Sequence, residues 1–333
     1  MILKRIKTNS ATNLFLIPVA ALVFWMKNLL HPFVYDFSVC EQQNLLFSPI
    51  LNLIGEHPFL HVLLSMLLVI ALGFLMQLLN NKYSFIRIRS KLPSILFVII
   101  MGGFVNMHTL HPVYFGAIFL LFAIDRLFGM FEKSRPYSTV FDVGFLIGIA
   151  SLFCFNLAIL FPAFFVAIAV LSREKKWREL LIYILGFLLP LAFALSYAFW
   201  NDELFETLEL IQRNFTTPVN HFLSDLALQV YLGILIIYTV IGSIDILKQY
   251  DKKKISSRKY FTAFFWIFFS SMISFVFIPA ASQEMLIIAA IPGTFLVANF
   301  FVFMKKRIWG EVLFAVLFIS VIFMQFAELV FNG

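Results

Sequence analysis

Charge is scarce in this chain: Asp, Glu, Lys and Arg make up only 13% of its 333 residues. A soluble globular protein carries about 25%, and folded proteins in water need polar atoms to cover their surface. The low charge therefore excludes a water-soluble fold. Cysteine is nearly absent as well, with Cys40 and Cys154 alone, so a disulfide scaffold is excluded. The chain has no Walker P-loop, no Rossmann glycine fingerprint, no G-x-S-x-G elbow and no C-x-x-C pair. It also lacks the polar, low-hydrophobicity composition of a disordered chain and any collagen-like period.

What fills the chain is hydrocarbon. Hydrophobic residues are 62% of the total, aromatic ones 18%, with 44 Phe. The mean hydropathy is +0.94. A bilayer core about 30 Å thick takes roughly 20 apolar residues per helical crossing. Apolar runs of this kind cover 10–30, 59–80, 93–108, 112–131, 138–155, 157–172, 179–200, 226–247, 260–278, 285–304 and 309–331. They are continuous rather than alternating, which favours helices over a transmembrane barrel. The expected fold is an all-α, polytopic transmembrane helix bundle of about eleven spans, forming one integral membrane domain over 1–333.

Two points decide the topology. Lys4, Arg5 and Lys7 precede the first run as in a signal peptide, but Phe24-Trp25-Met26-Lys27 offers no small-residue cleavage site, so the run reads as a retained span. The stretch 138–172 is read as two short helices turning near Phe155-Asn156, because one long helix would carry Arg173, Lys175, Lys176 and Arg178 to the face opposite the other basic loops. With eleven spans and a cytoplasmic N-terminus, every one of the 25 Lys and Arg except Lys27 and Arg213 falls in a cytoplasmic segment. That follows the positive-inside rule and places the C-terminus outside. The net charge of +7 is then topology and attraction to anionic lipid rather than a nucleic-acid surface.

The external segments carry the opposite chemistry. The loop at 31–58 holds Asp36, Glu41 and Glu56 with no basic residue, and the loop at 201–225 holds five carboxylates against Arg213. All six histidines lie on or near this face. Residues 203–215 place Leu204, Leu208, Ile211 and Phe215 on one helical face, and 43–56 place Leu46, Ile50, Leu53 and Ile54 similarly. Both read as interfacial helices capping the bundle or lining a groove for a lipid-borne substrate.

Several residues on this face are chemically capable. Asp36 or Glu41 is suited to act as general base or to hold a divalent cation beside a phosphate, or is an ordinary solvated loop acid. Lys27 and Arg213 break the charge rule, and suit a lipid phosphate on the outer leaflet as well as they suit snorkelling or a local pair with Glu209. His57 and His61 share a helix face and His108 and His111 flank a short turn. Four imidazoles make a zinc site if the hairpins adjoin, but without an H-E-x-x-H-type spacing interfacial hydrogen bonding is the plainer role. Asn214-Phe215-Thr216 matches a glycosylation sequon.

The layout resembles the GT-C superfamily of integral-membrane glycosyltransferases: one span, an acidic first external loop with an interfacial helix, then many short apolar spans. The stretch Phe141-Asp142-Val143-Gly144-Phe145-Leu146-Ile147-Gly148-Ile149-Ala150-Ser151-Leu152 is similar to the G-x-x-x-G-hydrophobic stretch common in that group, and the pattern Arg173 to Arg178 followed by Gly186-Phe187-Leu188-Leu189-Pro190 also resembles it. The resemblance implies a transferase using a polyprenyl-phosphate-linked sugar at the outer leaflet, with Asp36, or else Glu41, as base or metal ligand. The turn Met107-His108-Thr109-Leu110-His111-Pro112 lacks the second acidic motif of many members. The Phe-, Ile- and Lys-rich text also resembles polytopic membrane proteins of Bacteroidota, which implies a bacterial inner membrane. The alternative is a non-catalytic subunit scaffolding an envelope complex with protein partners, and the third reading is a small-molecule or lipid transporter.

Overall fold

The computed structural model describes residues 11–35, 37, 44–55, 57–86, 90–131, 133–172, 177–218, 225–248, 254–304 and 306–331. Among these residues there are thirteen α-helices and no strand. Six helices are long and apolar enough to cross a membrane. They are α3 (Pro58–Tyr83), α8 (Trp177–Trp200), α10 (Leu226–Lys248), α11 (Ile255–Phe277), α12 (Gln283–Phe303) and α13 (Arg307–Phe331).

The other apolar runs fold as shorter helices. These are α1 (Leu16–Leu30), α4 (Leu92–Gly102), α5 (Val113–Gly129), α6 (Tyr137–Phe153) and α7 (Phe161–Leu171). Two expected spans are shortened by irregular turns. The run 93–108 becomes α4 and a 3₁₀ turn at Val105–His108, and 157–172 becomes a 3₁₀ turn at Phe155–Leu160 and α7. An 11-residue helix reaches about 16 Å, half of a bilayer core. The eleven runs are thus all helical, while six have spanning length on their own.

The centre of the bundle is α4 and α12. Every residue of α4 is buried, and α12 is the most enclosed of the long helices. Helix α4 packs against α1, α3, α12 and α13, and α10 and α11 both lean on α12. A helix that is apolar all round belongs in such a position.

One end of the bundle gathers the basic side chains. Lys82 Nζ pairs with Asp125 at 2.7 Å, and Arg126 approaches Asp142 at 3.7 Å. Lys259 Nζ lies 5.3 Å from the Phe131 ring centre. Arg135 and Arg178 line one recess. Above them, Tyr83, Phe85, Phe128, Tyr260 and Phe264 meet edge to face, and Phe295 stacks on Phe264 while meeting Phe85 edge-on, which shows how the phenylalanine-rich text is used.

Helices α6 and α8 pack backbone against backbone. A Cβ at Gly144 would strike the Tyr183 carbonyl and, at 2.8 Å, the Phe187 amide; one at Gly148 would lie 2.6 Å from the Phe187 carbonyl. Gly186 faces the Phe141 carbonyl in the same way. Without hydrophobic drive between helices in lipid, small residues permit this approach and its dispersion gain. The pairing of 141–148 with 183–190 runs the two helices parallel, so their N-termini share the basic end.

Both segments read as interfacial helices contain a short helix. Helix α2 covers Ser48–Ile54 and ends at Gly55, whose φ of 66° is left-handed. Helix α9 covers Leu204–Thr216 and packs on α8 and the 155–160 turn.

Candidate functional site

Two buried polar centres lie at the end of the bundle away from the basic side chains, each where the chain leaves helical geometry. Freed backbone groups in an apolar bundle require partners. The first centre surrounds residues 102–112, between α4 and α5.

Here side chains from five helices satisfy or cover the end of α4 and the turn after it. Tyr231 donates its hydroxyl to the Ile100 carbonyl at 2.8 Å. Tyr114 donates to the Met107 carbonyl, Ser65 to the His108 carbonyl and Gln325 Nε2 to the Gly102 carbonyl. Trp25 donates Nε1–H to Ser65 Oγ at 3.0 Å while its indole stacks on His108, ring centres 3.9 Å apart. The carbonyls of Met101 and Gly102 face the His108 imidazole, yet neither ring nitrogen makes a well-formed hydrogen bond among the described residues.

His111 is held differently. Its Nδ1 accepts the Val113 amide at 3.2 Å, so the neutral ring carries its proton on Nε2, which is buried and has no partner among the described residues. Burial lowers its pKa from 6.5 to about 3. Unspent hydrogen-bonding capacity of this kind, enclosed in protein, calls for a physical explanation such as an ordered water or a ligand.

The first loop docks onto this turn. Tyr35 N donates to Thr109 Oγ1 at 3.1 Å, and the Phe37 ring meets His111 edge-on at 4.7 Å. Asp36, between them in sequence, and Glu41 lie outside the described residues. Lys27 donates to the Gln325 carbonyl at 3.2 Å, which ties α1 to α13. Arg213 pairs with Glu209 at 2.6 Å on exposed α9. The two expected phosphate ligands therefore sit on elements with different neighbours.

The four candidate zinc imidazoles do not assemble. His61 Nε2 donates to the Gly55 carbonyl at 2.9 Å, capping α2, and His57 precedes α3 on the surface. Among the described residues, no three His, Cys, Asp or Glu side chains converge as metal ligands. Asn214 of the sequon is buried and donates to the Leu210 carbonyl.

The second centre was not expected. Glu284, at the start of α12 and 1% exposed, accepts Asn156 Nδ2 and the Ser282 amide on Oε1, both at 2.9 Å, and the Ser282 hydroxyl on Oε2. Asn156 also reaches the Ala280 carbonyl, and Asn44 Oδ1 accepts the Phe155 amide. The sequence signal was available: a lone carboxylate and a lone amide at the ends of apolar runs have no other reason to be buried.

Between these centres and the bundle middle lies an open apolar crevice, bounded by α10, α11, α12 and the end of α4. Helices α10 and α11 both rest on α12 and scarcely touch each other, which leaves the gap. Its floor includes Leu286, Ala290, Gly293 and Val297, and Ile100 and Phe104 close one end. Its two hydroxyls are turned away, Thr239 donating to Leu235 O and Thr294 to Ile291 O. The walls therefore suit hydrocarbon. From Leu286 to Val297 the floor runs about 16 Å, the depth of one leaflet.

Fold and site together define a helical integral membrane protein with a polar centre beside a hydrocarbon crevice. By sequence, residues 42–331 match the family described as of unknown function, DUF6427, and the chain belongs to it. The matched region contains His57, His61, His108, His111 and Arg213, and begins after Lys27, Asp36 and Glu41. No curated protein and no solved structure matches the chain.

Proposed function

We propose that this protein is a membrane transferase acting on a lipid-phosphate-linked donor, of the kind the GT-C resemblance implies. The donor's hydrocarbon tail occupies the α10–α12 crevice and its reacting end meets the 102–112 turn and the first loop. One observation carries the reading: the crevice ends at Phe104, the residue that leads into the polar turn and rests edge-on against Tyr231 at 5.4 Å. A lipid tail and its polar end therefore have adjoining places.

In this reading the eleven helical runs all traverse or enter the bilayer, with the basic end in the cytoplasm of a bacterium and the polar centres at the outer leaflet of its inner membrane. Asp36, or else Glu41, is the base or the ligand of a divalent cation, and the anchoring of Tyr35 and Phe37 on the turn supports Asp36. Lys27 beside the turn neutralises donor phosphate; Arg213, already paired, is the weaker partner. The test is transfer in proteoliposomes from a radiolabelled polyprenyl-phosphate-linked hexose. Wild type is expected to consume the donor, while Asp36→Asn and the crevice-filling Gly293→Leu insert normally and do not. Consumption by neither wild type nor variants across hexose donors sinks the enzymatic reading.

A second reading is favoured by α8, the least buried of the long helices, which exposes Leu185, Phe193, Tyr197 and Trp200. Such a face suits a protein partner in an envelope assembly as well as lipid. Stoichiometric partners retained in mild detergent, lost on Phe193→Ala, would support the subunit reading.

A further inference from the structure

At the basic end, the glycine-mediated contact of α6 with α8 brings two helix N-termini side by side. Arg135 and Tyr137 at the start of α6, with Trp177 and Arg178 at the start of α8, line an open polar recess. Three other cations among the described residues have partners: Lys82 has Asp125, Arg126 has Asp142, and Lys133 has the Thr139 hydroxyl at 2.6 Å. The guanidinium groups of Arg135 and Arg178 have no ion pair or hydrogen bond among the described residues. Glu179, next to Arg178, is turned into the bundle, 3% exposed, and does not line the recess.

We propose that this recess binds the phosphate of an anionic phospholipid in the leaflet at the basic end. Two arginines present planar donor forks that match phosphate oxygens. Both helix dipoles point their positive ends at the same place. Tyr137 and Trp177 are the residue types that settle at the headgroup level, and the apolar bodies of α6 and α8 continue into the bilayer beneath them. Charge and aromatic belt thus specify an anionic headgroup whose tails remain in lipid. The site is at the other end of the molecule from the polar turn and does not depend on the transferase reading.

The full chain in nanodiscs, with brominated phosphatidylglycerol or brominated phosphatidylcholine, tests this through tryptophan quenching, with Trp177→Phe identifying the share due to Trp177. Phosphatidylglycerol is expected to occupy the recess about thirtyfold better than phosphatidylcholine, the product of two interfacial cations. Arg135→Gln with Arg178→Gln should erase that preference, and each single change should cost about fivefold if the pair does not fold. Raised salt should weaken the preference in wild type. Equal quenching by both lipids, or an unchanged preference in the variants, overturns the proposal. Displacement by millimolar inorganic phosphate also overturns it, because the site would then serve a soluble anion.

Discussion

The indole of Trp25 lies flat on the imidazole of His108, with planes 20° apart and centres 3.9 Å apart, and so fixes α1 to the turn between α4 and α5. The contact does two jobs. It covers an imidazole whose nitrogens make no well-formed hydrogen bond among the described residues, and it directs Nε1–H to Ser65 Oγ, which itself donates to the His108 carbonyl. Trp25→Phe keeps an aromatic face and loses one hydrogen bond, so a loss of about 1 kcal/mol is expected. Trp25→Ala removes a fully buried side chain and should cost about 3–5 kcal/mol. Thermal unfolding in detergent reads both; equal losses would show that the ring contact contributes nothing.

Acid should loosen the same region. His111 is neutral in the fold, with its pKa lowered from 6.5 to about 3 by burial. A depressed histidine pKa means that the unfolded chain binds the proton first, so this group's contribution is unperturbed above pH 6.5 and turns destabilising as pH falls below it. At pH 5 the penalty is about 2 kcal/mol. The unfolding midpoint should fall between pH 7.5 and 5, and more steeply in wild type than in His111→Gln. Parallel pH profiles would remove His111 as the cause.

The buried carboxylate of Glu284 joins the 155–160 turn to α12. Glu284→Ala strands Ser282 N and Oγ and one bond of Asn156 Nδ2, and about 2–3 kcal/mol should be lost. Glu284→Gln keeps an acceptor oxygen and should recover at least half of that, as measured by chemical denaturation of the detergent-solubilised chain. An alanine variant as stable as wild type would show the network to be incidental.

Glycines make opposite predictions according to what faces them. Gly144→Ala drives a methyl group into the backbone of α8, which cannot rotate aside, so destabilisation of about 3 kcal/mol is expected. Gly233, in α10, faces open space, with no atom within 4 Å of where an added methyl group would lie. Gly233→Ala should therefore raise stability by up to about 1 kcal/mol through helix propensity. Similar unfolding midpoints for the two variants would refute the close α6–α8 contact.

Helix positions were legible because each rests on composition over many residues: the expected run 226–247 forms as Leu226–Lys248, and 285–304 as Gln283–Phe303. Helix lengths were less so. The run 93–108 breaks at Gly102, where Phe24 presses on α4 and Gln325 and Tyr231 take the freed carbonyls. Those partners lie far away in sequence, and hydropathy along one segment carries no trace of them. For the same reason the pairing of His108 with Trp25, and of Glu284 with Asn156, was invisible, whereas the Glu209–Arg213 pair, four residues apart on one helix, was readable in advance.

The hairpin at 155–160 makes the last prediction. Arg135 and Arg178 line one recess, so the chain that leaves that end through α6 has returned to it through α7 before α8 begins. Helix α8, of 24 residues and about 36 Å, is long and apolar enough to cross once, and it places Asn201 at the other end of the bundle. In a background with Cys40 and Cys154 replaced, Asn201→Cys should react with a membrane-impermeant maleimide on intact cells. Ser134→Cys should react only after lysis, since basic loops stay in the cytoplasm. Reaction of both from the same side would mean that 138–172 crosses as a single unit, and would separate the arginines that the recess requires to be neighbours.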